Sequence, residues 1–358
     1  MKIAILGDTH FGMRNDSLDF HKYYEKFYTE TFFPHLLKND IKTVVQLGDL
    51  FDRRKYINFN SLHLARKYFF DKLKEYDIKL ITLLGNHDIA FKNTLEVNSS
   101  ELLLGEYGNV TVHNSFNTVD FDGINVDIIP WLCDSNEAEI FDKVKQSRSE
   151  ICFGHFEIAG FEMERGVICH EGLDRTLLSK YDMVLTGHFH HRSSDGHIYY
   201  VGTPGEITWS DYDDMRGFHI FDLNTRELEF FRNPHRIFRK INYNDSLENI
   251  AEQFRTFDYS VYKDCYVKVV VVEKHNPFLF DFVIESLYKA DVTDITIVED
   301  FSDDSETNDQ DIIDQAEDTI TILSKYIDNL KLPVENEKLK TLMRELYVEA
   351  INHDDSEW

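Results

Sequence analysis

Seven residues that could bind metal ions recur in one local setting along the sequence. Each lies within three residues after a glycine that ends a short apolar run typical of a buried strand. Glycine permits a sharp turn and a close backbone approach, so these side chains could all point into one cleft. Burying a carboxylate at such a position costs free energy unless it is paired with another charged group. We therefore expect a two-metal site, with Asp49 shared by both ions; the candidate ligands are Asp8, His10, Asp49, Asn86, His155, His188 and His190.

The donor atoms limit the choice of metal. Carboxylate oxygen, amide oxygen and imidazole nitrogen suit Mn²⁺, Fe²⁺ or Zn²⁺, and the absence of thiolates from the set disfavours a structural zinc site. A carboxylate has two oxygens with which to bridge ions roughly 3.5–4 Å apart. Such a pair can bind a phosphodiester and acidify a water molecule for attack at neutral pH. The pattern predicts phosphodiester hydrolysis.

His87 follows Asn86 directly and is the candidate catalytic residue. It could donate to the phosphate or protonate the leaving oxygen. Asp88 or Asp52 could orient it. The alternatives are that His87 only completes the turn, and that Asp52 only caps the turn after Asp49 or holds a basic neighbour.

Three consecutive cations, Arg53, Arg54 and Lys55, lie just after Asp52. Beside a cleft they could hold a DNA backbone, although an ordinary solvated loop is the alternative. The formal net charge of −27 argues against a protein that coats DNA without sequence preference. It does not exclude a nuclease, because the local field decides and bound cations would reverse it at the site.

Strands alternate with helices in the first third of the chain, and antiparallel elements dominate later. We expect an α/β sandwich over residues 1–235, with sheets inside and helices outside. Asp122-Gly123 predicts a hairpin within residues 110–132. Residues 91–107 are expected to be helical and carry more apolar side chains than one sheet face needs. The additional apolar side chains could form a homodimer interface or could simply be buried in the core.

The rest of the chain divides into three parts. Residues 236–298 predict a small βαβ-like domain. Residues 299–311 predict an acidic linker, since ten carboxylates and no Lys or Arg lie between Glu299 and Asp318. Residues 312–358 predict two amphipathic helices, the first with apolar residues at heptad spacing. Such helices have little core of their own, so they could join a partner's coiled coil or dock on the main body.

The composition gives the expected compartment. No apolar run approaches the length of a membrane span, and the N-terminus does not resemble a secretory signal. The four cysteines are far apart and form no CxxC pair, which is typical of reduced thiols in a cytoplasmic protein. For a phage-encoded chain this would be the host cytoplasm.

The motifs GDTHFG, GDLFDRR, GNHD and GHFHH, in this order, resemble the signature of calcineurin-like metallophosphoesterases over about residues 1–210. Their particular forms resemble the SbcD-type DNA repair nuclease subunits, and among these the members from T4-like phages. The resemblance implies that one ion is held by Asp8, His10, Asp49 and His190. The other would be held by Asp49, Asn86, His155 and His188, with His87 catalytic.

The same resemblance implies Mn²⁺-dependent 3′→5′ exonuclease and endonuclease activity on DNA and a homodimer. It implies a DNA-capping role for residues 236–298 and binding of an SbcC-type ATPase through the terminal helices. One departure is Asp52, where many members have His. A second catalytic histidine is therefore absent at this position, which bears on the balance of endonuclease and exonuclease activity.

Two other functions stay open. One is a different binuclear metallophosphoesterase, such as a phosphoprotein phosphatase or a cyclic-nucleotide phosphodiesterase, which the acidic charge favours. The other is a non-catalytic scaffold, against which the complete ligand set and His87 count. The linker and terminal helices favour the nuclease, because a small-molecule enzyme needs no such arm.

Overall fold

A computed structural model describes residues 1–170 and 172–299. In these ranges the strands are β1 (Lys2–Leu6), β2 (Thr43–Gln46), β3 (Lys79–Leu83), β4 (Ile89–Phe91), β5 (Thr94–Asn98), β6 (Val110–His113), β7 (Asn117–Phe121), β8 (Ile124–Ile129), β9 (Ile151–His155), β10 (Glu162–Glu164), β11 (Val167–Ile168), β12 (Met183–Gly187), β13 (Ser193–Ser194), β14 (Ile198–Tyr200), β15 (Gly217–Asp222), β16 (Glu227–Arg232), β17 (Phe238–Asn244), β18 (Tyr266–Glu273) and β19 (Asp294–Glu299).

Two six-stranded sheets form the centre of the fold. Their strand orders are β16-β15-β1-β2-β3-β6 and β13-β14-β12-β9-β8-β7. Alternate residues of each sheet, such as Ile3 and Ile5 in one and Ile151 and Phe153 in the other, meet in a shared buried core. This is the period-2 pattern of two sheets packed face to face. The α/β sandwich expected from the sequence is confirmed.

Helical segments pack against the outer faces of both sheets. Phe32 contacts Phe218 of β15 at a ring-centroid distance of 5.0 Å, and Ile140 and Val144 pack against the second sheet. The α-helices are Met13–Asp16, Leu18–Phe27, Phe33–Lys38, Phe59–Ala65, Asp71–Glu75, Ser99–Leu104, Glu137–Gln146, Ile250–Thr256 and Pro277–Lys289. Two π-helical turns, Tyr28–Phe32 and Arg66–Phe70, and three 3₁₀ turns, Arg175–Leu178, Trp209–Asp211 and Tyr259–Tyr262, complete the helical elements of the described ranges.

The topology explains why the candidate ligands meet. β1, β2 and β3 run parallel in one sheet, and β9 and β12 run parallel in the other. Parallel strands end at the same edge of a sheet. The glycine-led turns after β1, β2 and β3, and those at the ends of β9 and β12, therefore lie at one edge of the sandwich.

Two local predictions have different outcomes. The hairpin at Asp122-Gly123 is confirmed, since β7 and β8 pair antiparallel. The helix expected over residues 91–107 is wrong in its first half, where β4 pairs with β5 and only Ser99–Leu104 is helical. Asn98 explains the late start, because its side chain accepts a hydrogen bond from the Glu101 backbone N–H and caps the helix.

Residues 238–299 form a three-stranded parallel sheet, β17-β18-β19, with its own buried core. β17 begins within the basic segment of residues 232–240, whose composition alone does not predict a strand. Glu206 accepts hydrogen bonds from the N–H groups of Ile237 and Phe238, and the small sheet belongs to the same compact unit as the sandwich. The domain boundary at residues 235 and 236 stays a prediction.

The expected linker, apart from Glu299 at the end of β19, and the expected terminal helices lie outside the described residues. Among the residues that are described, none of the helices has the length and hydrophobicity that a bilayer crossing requires.

Candidate metal centre

The turns bring all seven candidate ligands to one edge of the sandwich. Three groups of side chains place metal-ligating atoms within 4.8 Å of one another. The first is Asp8, His10 and His190; the second is Asp49, His155 and His188; the third is His10, Asp52 and His87. Asn86 joins the second group through its amide. The ligand assignment itself stays a prediction.

The first group contains two facing imidazoles and a carboxylate. His10 Nε2 and His190 Nε2 are 3.1 Å apart, and His190 Nε2 lies 4.0 Å from Asp8 Oδ2. Asp8 is fixed, because its carboxylate accepts from the backbone N–H of His188 at 3.0–3.1 Å. Two ring nitrogens and a carboxylate oxygen thus converge on one small volume.

The second group is built around the Asn86 amide. Asn86 Oδ1 is 3.0 Å from His155 Nε2 and 2.9 Å from His188 Nδ1. His155 donates its Nδ1–H to the Leu47 carbonyl at 2.7 Å, and a carbonyl can only accept. Burial alone would lower the pKa of His155, but Asp49 and Asp8 raise it to about 9. A bound cation would displace the Nε2 proton, and the neutral ring would then present the Nε2 lone pair to the cluster.

Asp49 connects the two groups through a single oxygen. Its Oδ2 lies 3.8 Å from His10 Nε2 and 3.4 Å from His155 Nε2. Its Oδ1 accepts from the backbone N–H of His87 at 2.7 Å. Gly85 allows this approach, because a Cβ there would overlap Asp49 Oδ1. Asp49 has the position that a shared ligand needs.

Three of the candidate ligands have left-handed backbones. The φ angles are 43° at His10, 53° at Asp49 and 90° at His188. This region is uncommon for residues other than glycine, and such strain clusters at functional sites. The surrounding sandwich holds these residues in place at an energetic cost.

Buried carboxylates give the centre unusual electrostatics. Burial raises the pKa of Asp8 to about 8, although the charge of His155 opposes the shift. Burial and the charge of Asp49 raise the pKa of Asp88 to about 6. Burial would raise the pKa of Asp49 too, but the charges of His155, His10 and His87 lower it. Asp49 is thus held as a carboxylate and attracts positive charge.

The donor atoms fit a bound cation. The Asn86 oxygen faces only acceptors in its present orientation, and reversing the amide would let its nitrogen donate to Asp49, His155 and His188 instead. A bound cation would make the present orientation of the Asn86 amide favourable, because it would accept a lone pair from the Asn86 oxygen and from each neighbouring donor atom. His10 directs Nε2 toward the first donor group, and its buried Nδ1 makes no hydrogen bond in the described residues.

Several supporting residues had no signal in the sequence. Glu157 Oε2 lies 3.4 Å from His188 Nε2, on the side of the ring away from Asn86. Buried Arg216 donates to the backbone carbonyl of His190. The Trp131 ring lies 5.0 Å from that of His188. Contacts to the outer side of ligand rings orient them and tune their basicity. For Trp131, the only available signal was that it follows an apolar strand, which indicates a position near the same edge of the sandwich.

His87 and its two expected partners are arranged differently from the expectation. His87 Nδ1 is 2.6 Å from the backbone carbonyl of Asp52, so the main chain holds the ring. The Asp52 carboxylate instead lies 3.5 Å from His10 Nδ1. Asp88 accepts from the N–H groups of Leu50, Phe51 and Gly85. Asp88 thus joins two turns, and no described hydrogen bond links it to His87.

The three cations after Asp52 do not share one setting. Arg53 pairs with Asp16 at 3.2 Å and donates to Asn15 and Tyr56 at 2.8 Å. Arg54 reaches the centre, with Nη2 3.3 Å from the outer atom of the Asn86 amide. Lys55 is exposed. Arg54 is therefore the member best placed for a group bound at the metals.

Comparisons with known proteins identify the family. Residues 1–192 match the family model described as calcineurin-like phosphoesterase. The chain belongs to the calcineurin-like phosphoesterase family, as its motifs indicated. Members of this class bind divalent metals, and the His and Asp groups at the sandwich edge could hold them.

Within the family the chain has a relative along its whole length. It is 33% identical over 354 residues to Exonuclease subunit 1 of Enterobacteria phage T4, which covers 98% of this chain and 99% of the relative. It is 25% identical over 244 residues to the SbcD component of the SbcCD nuclease of Staphylococcus saprophyticus, covering 58% of this chain and 64% of that one. An archaeal phosphodiesterase structure matches with 15% identity and a TM-score of 0.33, covering 65% of this chain and 99% of that chain.

Proposed function

We propose that this chain is a Mn²⁺-dependent DNA nuclease, with 3′→5′ exonuclease and endonuclease activity, that acts in the cytoplasm as a subunit of a recombination and double-strand-break repair complex. The observation that carries the proposal is Asp49, whose Oδ2 lies between two donor groups with His87 beside them. The T4 and staphylococcal relatives, both named as nuclease subunits, support DNA as the substrate.

The chain's residues divide the work of hydrolysis. Asp8, His10, Asp49 and His190 would hold one ion, and Asp49, Asn86, His155 and His188 the other. When bound, two such ions supply Lewis acidity toward a phosphodiester and toward water. Mn²⁺ suits the mixed oxygen and nitrogen donors, although Mg²⁺, Fe²⁺ and Zn²⁺ are alternatives that metal titration can separate.

His87 would handle a proton at the leaving oxygen. Its Nδ1–H is committed to the Asp52 carbonyl, so Nε2 is the atom that carries or gives up the proton. Positioned acid–base groups of this kind contribute roughly 10²–10⁴-fold to a rate. Arg54 would bind a phosphate oxygen, since its guanidinium lies against the Asn86 amide.

The test is incubation of the purified protein with a labelled DNA duplex and Mn²⁺. We expect degradation that a chelator stops and that added Mn²⁺ restores. A phosphopeptide and a cyclic nucleotide serve as parallel substrates, because the net charge of −27 favours the phosphatase or cyclic-nucleotide phosphodiesterase alternative. Turnover of either, with intact DNA, would replace the nuclease proposal.

An apolar patch supports a homodimer. Exposed Tyr56 and Leu102 line one cavity together with Arg53–Lys55, whereas Leu95 and Leu104 are buried in the core. Exposed apolar patches of this kind often mark interfaces. Leu102→Lys should convert a dimer to a monomer in light scattering, while Leu18→Lys, at another exposed leucine, should not. A wild-type monomer would remove this part of the proposal.

The remaining parts of the proposal concern the second half of the chain. We propose that residues 236–298 cap bound DNA and that residues 312–358 grip an SbcC-type ATPase. Deletion of residues 312–358 should leave metal binding and nuclease activity in place and abolish co-purification with that ATPase. Retained co-purification would place the partner's binding site elsewhere on the chain.

A further inference from the structure

A cavity of about 610 Å³ opens beside the metal centre. His155 lines it, so the cavity and the second donor group share a residue. Trp131 and Phe141 are half-buried in its wall, and Phe156 is buried behind it. Ligand pockets are typically of this size and largely apolar. A substrate held at the metals would have part of its structure within reach of this cavity.

Three places in the chain contribute the aromatic wall, and one of them is Phe156, directly after β9. Trp131 follows β8, and its ring lies 5.8 Å from His155 and 5.0 Å from His188. Phe141 projects from the helix Glu137–Gln146. Aromatic side chains placed this way provide flat faces on which another ring can stack.

Apart from His155, the polar side chains that line the cavity are acidic. Glu137, Glu157 and Asp174 line it, and no Lys or Arg is among its described lining residues. This composition repels phosphate groups, while carboxylates accept hydrogen bonds from ring N–H and amino groups. The basic residues lie elsewhere, since Arg54 reaches the centre at Asn86 and does not line this cavity.

We propose that this cavity binds the nucleobase of a nucleotide next to the scissile phosphodiester, stacked against Trp131. The inference rests on the proposed nuclease function. The phosphate would lie at the metal donors and Arg54, and the base would lie among Trp131, Phe141 and the carboxylates. Trp131 is thus a substrate-binding residue that no motif marked.

The test uses single-stranded oligonucleotides that carry one abasic residue on either side of the phosphodiester cut first. The wild type should cleave one of the two abasic substrates about tenfold less efficiently, in kcat/KM, than the complete strand, because a base–aromatic stack is lost. Trp131→Ala should bring this ratio close to one, and Trp131→Phe should restore most of it. The change should fall mainly on KM.

Measuring a ratio within each variant separates binding from damage to the metal centre, which would slow all substrates together. Leu37→Ala, at an exposed residue of the helix Phe33–Lys38 outside every proposed binding surface, is the control and should keep the wild-type ratio. Phe141→Ala provides a second variant if Trp131→Ala does not fold. Equal cleavage of all three substrates by the wild type would overturn the pocket assignment alone. No cleavage of any DNA would instead remove the nuclease function.

Discussion

His87 donates its Nδ1–H to the backbone carbonyl of Asp52 across 2.6 Å. The orientation of the ring therefore depends on the main chain of the turn after Asp49, and a substitution of the Asp52 side chain leaves the acceptor in place. The two residues can be separated experimentally, although both belong to the same small cluster at the sandwich edge.

For His87→Ser we expect a loss of DNA cleavage of roughly 10²–10⁴-fold, because Nε2 is the proton-carrying atom. Mn²⁺ binding by calorimetry should be unchanged, since His87 is outside the two proposed ligand sets. Asp52→Asn is the matched variant and should lose much less activity. Equal loss of metal binding in His87→Ser would refute its catalytic assignment.

Asp49→Asn should remove the stabilisation that Mn²⁺ gives. The buried carboxylate attracts cations to both donor groups, and a ligand at about 100 times its Kd stabilises a fold by about 2.7 kcal/mol. Wild-type protein should unfold at a higher temperature with Mn²⁺ than with chelator, and the variant should show little difference. Asp142→Asn, at an exposed carboxylate, should behave as wild type. A full Mn²⁺ shift in Asp49→Asn would mean that the ions bind elsewhere.

Arg216→Met should destabilise the protein by about 3–5 kcal/mol, because it removes the cation that pairs with buried Asp211 at 2.6 Å and with Asp214 at 2.8 Å. The carbonyl of His190 loses a donor as well, so Mn²⁺ affinity should fall. Arg236→Met is the control, since its partner Asp213 is exposed; its cost should stay within about 1 kcal/mol. Urea unfolding measures both. Equal losses of unfolding free energy in Arg216→Met and Arg236→Met would contradict a stabilising role for the buried pair.

His219 should make stability fall in mild acid. Burial, and then the charge of Arg192, lower its pKa to about 3 from an ordinary value of 6.5. Below pH 6.5 the unfolded chain binds a proton that the folded chain refuses, so stability falls by up to about 1.4 kcal/mol per pH unit. His219→Leu should flatten this dependence between pH 6.5 and 4, and His63→Leu, at an exposed position, should not. Parallel urea-derived curves for wild type and His219→Leu would contradict it.

The sequence predicted what local chemistry determines. Glycine-led turns after apolar runs identified the residues that converge, since each motif carries its own turn and donor. The sequence could not reveal what distant segments contribute. Glu157 behind His188 and Arg216 behind His190 depend on how loops pack. The same limit explains β17, whose sequence reads as basic until its pairing with β18 is known.

The left-handed residues at His10, Asp49 and His188 have a consequence for how this chain tolerates change. Each conformation costs energy that the sandwich must supply, so the turns would relax before the sheets separate. Destabilising substitutions in the core should therefore abolish the activity of the enzyme while its two sheets stay folded. Screens that score only expression or solubility would miss such variants.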